Sequence, residues 1–257
     1  MSFIEDVKRK AKAKKRTIVL PEAEDKRTLE AAMQIKKEGF ANLVLLGDPK
    51  KVEKDAKDYG FDLSGIPVID PKTSPSLEDY VATLVELRKA KGMTEEEARK
   101  LLSENNTYYG VMMVKKGDAD GLVSGACHST ADTLRPSLQI LKTKPGTKIV
   151  SAFFVMVVPD CAYGENGTFV FSDCGLNQNP TAEELAAIAE SSAESFRFLL
   201  AQSRRSPCFP TLRWVLQSMR MLQRCRKQRR LRKRTIRICS STGNCSLMRH
   251  SFLPWRS

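Results

Sequence analysis

Residues 17–59, TIVLPEAEDKRTLEAAMQIKKEGFANLVLLGDPKKVEKDAKDY, contain the pattern that decides the fold. Two short β-prone apolar runs, TIVL (17–20) and NLVLLGD (42–48), flank a segment whose apolar residues recur at helical spacing until Gly39 stops it. A second helical pattern follows the second apolar run. The order strand, helix, strand, helix is typical of a parallel sheet covered by helices, so the sequence predicts an α/β protein.

The alternation continues through the first 200 residues. Amphipathic periodicity predicts further helices over 74–92, 93–104, 131–142 and 179–200, the last opening with a capping box in TAEE. Strands are predicted over 121–126, 149–160 and 167–175. The run IVSAFFVMVVPD (149–160) is almost entirely apolar, as expected of a strand buried on both faces.

Charge is divided unevenly along the chain. The formal net charge is +13, yet residues 203–257 contain 13 Arg, 2 Lys and no acidic residue. Residues 1–202 carry a net charge of −2, so the basic character belongs to the last segment rather than to the folded body. Composition also changes near KTKPGTK (142–148). We therefore expect α/β domains over 1–145 and 146–202 and a basic segment, 203–257, that is not natively folded.

Composition also restricts the class of protein. No apolar run reaches the roughly 18–20 residues that cross a bilayer, and the opening MSFIEDVKRKAKAKKR has no signal-peptide core. The seven cysteines include no CxxC pair, so we expect reduced thiols rather than a disulfide framework or a zinc site. These features predict a cytoplasmic protein.

The stretch VSGACHSTADTLRPSLQIL (123–141) is the best candidate for a binding site. A strand runs into Gly125, and a helix begins near Ser129 and Thr130, so backbone N–H groups and hydroxyls converge where an anion could sit. The alternative is that Ser129 and Thr130 only cap the helix. Arg135 would add a positive charge or lie at the surface, and Arg88 could equally complement the dipole of its own helix.

Cysteine and histidine chemistry is less favoured. Cys127 and His128 are adjacent, and adjacent side chains rarely face each other; no second ligand is evident, so we expect no metal. Cys161 follows a predicted strand, at the end where α/β proteins place ligands, although a buried inert thiol is the simpler interpretation.

Three runs resemble phosphate acetyltransferases: KKRTIVLPEAEDKRTLEAA (14–32), GLVSGACHSTADTLRPSLQILKTKPG (121–146) and FFVMVVPDCAYGENGTFVFSDCGLNQNPTAEELAAIA (153–189). The similarity extends over residues 1 to about 200. It implies the reaction acetyl-CoA + phosphate ⇌ acetyl phosphate + CoA, with no cofactor beyond these substrates. It also implies a two-domain α/β/α fold like that of the isocitrate and isopropylmalate dehydrogenases, an active site between the domains, and a homodimer. The second domain would be truncated here.

The resemblance also implies site residues. Arg88 in VELRK and Arg135 in TLRP would bind CoA and phosphate, to which arginine forks are suited, and Ser129 and Thr130 would suit the phosphoryl group. Cys161 in VVPDC would lie near the cleft without acting as a nucleophile. The family takes its catalytic serine, arginine and aspartate from a DLSRG segment that this sequence lacks. The catalytic residues are therefore unknown, and the 257-residue chain is expected to be inactive.

The basic segment has a simple genetic interpretation. If the codons from Ser203 onward are read one base earlier, they can encode EPKVAMLSYSTLGSAKHEDAAEV and further residues that resemble the next part of phosphate acetyltransferases. Codons for lysine and glutamate read out of phase yield arginine, which explains the excess. We expect a frameshift near residues 198–203. The alternative is a truncated, non-catalytic protein whose basic run, RCRKQRRLRKR, binds nucleic acid nonspecifically.

Overall fold

The computed structural model describes residues 3–145, 147, 149–165 and 167–201. It divides the chain into two compact units, of which the first runs to Val150 and includes Val157–Pro159. The second comprises Ser151–Met156 and continues from Asp160. The predicted domain limits after residues 145 and 202 stay predictions, and the basic segment 203–257 lies outside the described residues.

A four-stranded sheet forms the centre of the first unit. Its strands are β1 (Thr17–Leu20), β2 (Asn42–Leu46), β3 (Val68–Ile69) and β4 (Gly121–Leu122), in the order β3-β2-β1-β4. Every pairing is parallel, and Val19 of β1 lies opposite Val44 of β2. The parallel α/β sheet predicted from residues 17–59 is therefore confirmed.

Seven helices belong to this unit in the described part of the chain: α1 (Phe3–Ala13), α2 (Lys26–Glu38), α3 (Pro49–Tyr59), α4 (Leu77–Arg88), α5 (Glu95–Glu104), α6 (Asn106–Lys116) and α7 (Thr130–Ile140). The limits of α2 follow local chemistry, since Asp25 accepts from the Arg27 N–H and Gly39 takes a left-handed conformation at the end. A single 3₁₀ turn, Lys89–Lys91, follows α4. None of the described helices is long and apolar enough to cross a bilayer.

Alternate residues of the central strands pack on opposite faces of the sheet. Val19 and Val44 join a core with α4, α5, α6 and α7, whereas Leu20 and Leu43 join a core with α2 and α3. The first unit is thus a three-layer α/β/α arrangement. Burial on both faces explains why its strands are short continuous apolar runs.

Helix α6 had no counterpart among the sequence predictions, although it is the most buried helix of the first unit. Seven of its eleven residues are buried, so NTYYGVMMVKK lacks the polar face on which periodicity analysis depends. Gly110 allows the close approach to the sheet: a Cβ there would lie 2.6 Å from Leu122 Cδ1 and 3.1 Å from Val19 Cγ1.

The second unit contains β5 (Phe153–Val157) except for its last residue, β6 (Thr168–Ser172) and α8 (Ala182–Phe196), followed by a π-helical turn, Arg197–Ala201. The capping box at the start of α8 is present, with Thr181 and Glu184 bonded reciprocally. The expectation that 149–160 is a strand buried on both faces is wrong for the described residues. Only five residues are strand, paired with β6 in a two-stranded sheet, and Phe154 is 56% exposed.

Candidate anion-binding site

A buried carboxylate organises the loop that precedes α7. Glu22 follows β1 directly and is only 2% exposed. Its Oε2 accepts the N–H groups of Gly125 and Ala126, both at 2.8 Å, and its Oε1 accepts those of Cys127 at 3.1 Å and His128 at 3.0 Å. Four consecutive N–H groups, more than 100 residues away in sequence, therefore converge on one side chain. Because Glu22 occupies the N–H groups of residues 125–128, these four donors are not free for a ligand. An anion at the start of α7 stays a prediction.

The ring of His128 joins the same cluster. His128 Nδ1 lies 2.8 Å from Glu22 Oε1, and since an ionised carboxylate can only accept, the ring carries a proton on Nδ1. Burial alone would raise the pKa of Glu22, but hydrogen bonds from Ala126, His128, Cys127 and Gly125 outweigh it and lower the pKa to about 2. Glu22 is therefore a stable anion at neutral pH.

A second contact holds the loop from α2. Arg27 Nη2 donates to the backbone carbonyl of Ala126, and the same guanidinium is oriented by Asp25 through contacts of 2.7 Å (Nη2–Oδ2) and 3.0 Å (Nε–Oδ1). The N–H and C=O of Ala126 are thus both bonded to side chains from the region after β1. Glu22 therefore holds the loop through its N–H groups, and Arg27 holds it through a carbonyl.

Cys127 and His128 do contact each other, contrary to expectation, because both turn towards Glu22. Cys127 Sγ lies 3.5 Å from His128 Nδ1 and 3.6 Å from Glu22 Oε1. The ligand atoms of these three residues lie within 4.8 Å of one another, a spacing that could hold a metal ion. Burial, followed by the Glu22 charge, raises the pKa of the Cys127 thiol to about 11, which disfavours the thiolate that a metal requires. The absence of a metal stays a prediction.

The start of α7 is built by a local cap. Ser129 Oγ donates to Asp132 Oδ2 at 2.6 Å and accepts from the Asp132 N–H at 3.3 Å. The Ser129 N–H also donates to Asp132 Oδ2, at 3.3 Å. The capping interpretation of Ser129 is therefore correct. Thr130 is the first residue of α7 and is exposed. A substrate role for Ser129 or Thr130 stays a prediction.

The charges of two predicted arginines act on one buried tyrosine. Tyr108 of α6 is 7% exposed and donates from its hydroxyl to Gln139 Oε1 at 3.0 Å. Burial raises the pKa of Tyr108, and the positive charges of Arg135 and Arg88 act in the opposite direction. Arg88, from the end of α4, and Arg135, from α7, are therefore close enough for both charges to act on the Tyr108 hydroxyl. We call Arg88, Tyr108 and Arg135 the arginine pair site.

Arg88 is the distinctive member of this site. Its Nε is buried and has no hydrogen-bond partner among the described residues. A buried donor left without an acceptor costs about 1–3 kcal/mol, and arginine cannot escape that cost by losing its charge. An anionic acceptor that reached this nitrogen would remove the cost.

An open hollow of about 340 Å³ lies on the α2 side of the sheet. Its lining is mainly apolar and includes Leu20, Ile35, Phe40 and Leu43. Arg27 also lines the hollow, but it is already paired with Asp25, and the Glu22 carboxylate faces the same space. The hollow is therefore a poorer anion site than the arginine pair site.

Cys161 belongs to the second compact unit and is half-buried, with its Sγ 4.0 Å from the carbonyl oxygen of Tyr163. Among the described residues of this unit, no contact indicates a nucleophile. Its location near a cleft stays a prediction.

Glu22 and Tyr108 are the site residues that sequence reasoning missed. A signal existed for Glu22, since a carboxylate placed directly after a buried parallel strand lies at the edge where α/β proteins concentrate polar chemistry. Tyr108 gave no comparable signal because it stands in the largely buried segment of α6.

Comparison with known proteins is consistent with this geometry. Residues 2–206 match the family model described as phosphate acetyl/butaryl transferase. The chain is 56% identical over 200 residues to a phosphate acetyltransferase of Acetivibrio thermocellus, covering 78% of this chain and 59% of that protein. It is 51% identical over 205 residues to that of Thermoanaerobacterium thermosaccharolyticum, covering 80% and 62%.

Solved structures give the same result. EutD phosphotransacetylase from Staphylococcus aureus superposes with a TM-score of 0.70 at 43% identity, covering 77% of this chain and 57% of that one. A phosphotransacetylase from Streptococcus pyogenes gives 0.71 at 40% identity, covering 77% and 60%. The chain thus spans about three fifths of the length of the curated relatives that it matches.

Proposed function

This chain belongs to the phosphate acetyl/butaryl transferase family, and from that premise we propose that the intact protein transfers an acetyl group between CoA and inorganic phosphate. The chain covers 59% of its Acetivibrio relative, so the proposal concerns the activity of the whole protein. We infer that the described residues supply anion binding at the arginine pair site.

The unsatisfied Nε of Arg88 is the observation that supports this assignment most directly. Both substrates are phosphate compounds, and guanidinium groups bind phosphate oxygens through paired N–H donors. Arg135 supplies a second positive charge beside the same tyrosine. A phosphate oxygen that accepts from Arg88 would remove the cost of its buried donor.

In the proposed reaction a phosphate oxygen attacks the thioester carbonyl of acetyl-CoA. A C–O bond forms, the C–S bond breaks, and CoA leaves as a thiolate that takes up the proton that the attacking hydrogen phosphate gives up. Arg88 and Arg135 would hold the phosphate groups and offset their charge, which lowers the cost of bringing two anionic substrates together. Thr130, exposed at the start of α7, is the candidate hydroxyl for the phosphoryl group. Ser129, although engaged as a cap, remains a second candidate.

Titration calorimetry with CoA tests this assignment. We expect Arg88→Ala and Arg135→Ala each to weaken CoA binding at least tenfold. Arg99→Ala is the matched control, because Arg99 is a surface arginine paired with Glu78 at 2.6 Å on a different helix. An equal loss of CoA affinity in all three variants would show that the effect depends on the net charge of the protein and not on the arginine pair site. Unchanged affinity in the first two would refute the arginine pair site.

The finer features implied by the family are proposals of the same kind. They are a two-domain fold of the isocitrate dehydrogenase type, a homodimer, a cytoplasmic location, and Cys161 near the interdomain cleft. Light scattering of the purified protein tests the homodimer. An assay of CoA-dependent acetyl phosphate formation tests the prediction that the 257-residue chain does not turn over.

We also propose that residues from about 203 are encoded out of frame. The family match stops at residue 206, close to the point where acidic residues disappear and arginine replaces lysine. Resequencing the gene across the codons for residues 195–205 decides the matter, since a missing or extra base would restore the long frame. Confirmation of the printed frame would leave nonspecific nucleic-acid binding as the role to test, by salt-dependent RNA binding with and without residues 203–257.

A further inference from the structure

Glu22 takes a position that an anion would otherwise occupy. Consecutive backbone N–H groups that point inward form a concavity that attracts negative charge. In this protein the N–H groups of residues 125–128 all donate to the Glu22 carboxylate, at 2.8 to 3.1 Å. No step of the proposed reaction uses Glu22, and at 2% exposure it is closed to substrate.

We propose that Glu22 is a positioning residue, which fixes residues 125–128 and thereby orients the first turn of α7 and Arg135 towards the substrate anion. The inference rests on the proposed function. It differs from that proposal because Glu22 acts through the backbone of another segment and touches no substrate.

The chain of contacts is continuous. Residues 125–128 lead directly into the Ser129 cap, and Arg135 lies five residues into the helix that begins at Thr130. A shift of the loop would therefore move the helix start, since only Ser129 separates them. Arg27 donates to the Ala126 carbonyl and Glu22 accepts from the Cys127 N–H, so both ends of the peptide group between residues 126 and 127 are held.

The choice of side chain is specific. Glutamate offers two oxygens and no donor, which matches four N–H groups and the His128 ring. Glutamine would replace one of the two carboxylate oxygens by an NH₂ group, which cannot accept. Whichever oxygen is replaced, two backbone N–H groups would lose their acceptor. Aspartate keeps the charge, but its carboxylate is one methylene short of the loop. Glu22 Oε1 also contacts the Nδ1 of His128 at 2.8 Å, so this nitrogen is engaged with Glu22.

Amide hydrogen exchange provides the first arm of the test, on the full chain without ligand. In Glu22→Gln we expect the amides of residues 125–128 to exchange at least tenfold faster, while the amides of β1 and β2 change less than threefold. Glu30→Gln is the matched control, because Glu30 is exposed on α2. Unchanged exchange at 125–128, or equal acceleration throughout the unit, would overturn the proposal.

CoA affinity provides the second arm. We expect Glu22→Gln to weaken CoA binding at least tenfold and Glu30→Gln to leave it unchanged. Leu102→Ala, a core change in α5 at a residue that is 0% exposed, separates positioning from general destabilisation and should also leave affinity unchanged. If the wild type binds CoA and Glu22→Gln binds it equally well, the positioning role is refuted. If the wild type binds no CoA, the assignment of CoA binding to the arginine pair site fails, and the fixing of residues 125–128 is decided by exchange alone.

If Glu22→Gln does not fold, both amide exchange and CoA affinity are measured on Glu22→Asp instead. It retains the negative charge, and we expect intermediate exchange rates and a three- to tenfold loss of CoA affinity. Wild-type values in both measurements would contradict a role that depends on the reach of the side chain.

Discussion

Replacing Glu22 by glutamine should destabilise the protein in a pH-dependent manner. The folded environment lowers the pKa of Glu22 from 4.5 to about 2, despite burial, through the hydrogen bonds of residues 125–128. One pKa unit corresponds to about 1.36 kcal/mol, so the ionised form contributes about 3 kcal/mol to the free energy of unfolding at pH 7. This is a large share of the roughly 5–15 kcal/mol that stabilises an ordinary domain.

The sign of the pH dependence follows from the lowered pKa. The stabilisation is fully present above the unfolded-state value of 4.5 and is lost as pH falls towards 2. At pH 3 the same relation leaves roughly 1 kcal/mol, because the unfolded carboxylate is by then protonated. The difference in stability between the wild type and Glu22→Gln should therefore narrow by about 2 kcal/mol between pH 7 and pH 3.

Urea denaturation of both proteins at several pH values measures this difference, with Glu30→Gln as the exposed control. Glutamine also places an NH₂ group against backbone donors, which adds a loss that does not depend on pH. A difference below about 1 kcal/mol at pH 7 would refute the account of Glu22 as an ionised acceptor of five hydrogen bonds. A difference that stays constant down to pH 3 would refute the assigned pKa.

Three further predictions concern single side chains. Burial and the Glu22 charge raise the pKa of Cys127 from 9.0 to about 11, which lowers its thiolate fraction at pH 7.5 about a hundredfold. Because a thiolate of higher pKa is more nucleophilic, its alkylation by iodoacetamide, followed by peptide mass spectrometry, should be roughly tenfold slower than that of a free cysteine; a rate equal to that of the free thiol would contradict this. Ser129→Ala should lower the free energy of unfolding by about 1 kcal/mol through loss of the helix cap, whereas no change in urea denaturation would show that the Asp132 contacts contribute nothing. Tyr80 is 2% exposed and donates to the Asp118 carboxylate, so Tyr80→Phe should cost about 1–2 kcal/mol, and a thermal midpoint equal to that of the wild type would contradict this value.

Local pattern predicted the parts of the fold that depend on local interactions. The apolar runs at 17–20 and 42–48, with helical periodicity between them, predicted β1, α2 and β2, because a strand buried on both faces and an amphipathic helix each leave their own period in the sequence. The capping box at Thr181 was recognised for the same reason, since its two partners are three residues apart.

Prediction failed where one element depends on another far along the chain. Helix α6 is buried nearly all round and shows no amphipathic period, so its segment received no assignment. The apolar run at 149–160 predicted a doubly buried strand, yet in the described residues β5 pairs with β6 in a two-stranded sheet and stays largely exposed. An apolar sequence indicates that a segment can be buried, but whether it is buried depends on the elements that pack against it.

By itself the sequence determined the α/β class, the parallel order of the first strands, the helix caps and the confinement of basic charge to residues 203–257. Through resemblance it also selected Arg88 and Arg135. Only the tertiary structure decided that the Glu22 carboxylate accepts from four N–H groups more than 100 residues away, and that the charges of Arg88 and Arg135 both act on Tyr108. Hydrogen bonds and charge pairs at such separation depend on how the strands and helices pack, and no local pattern encodes that geometry.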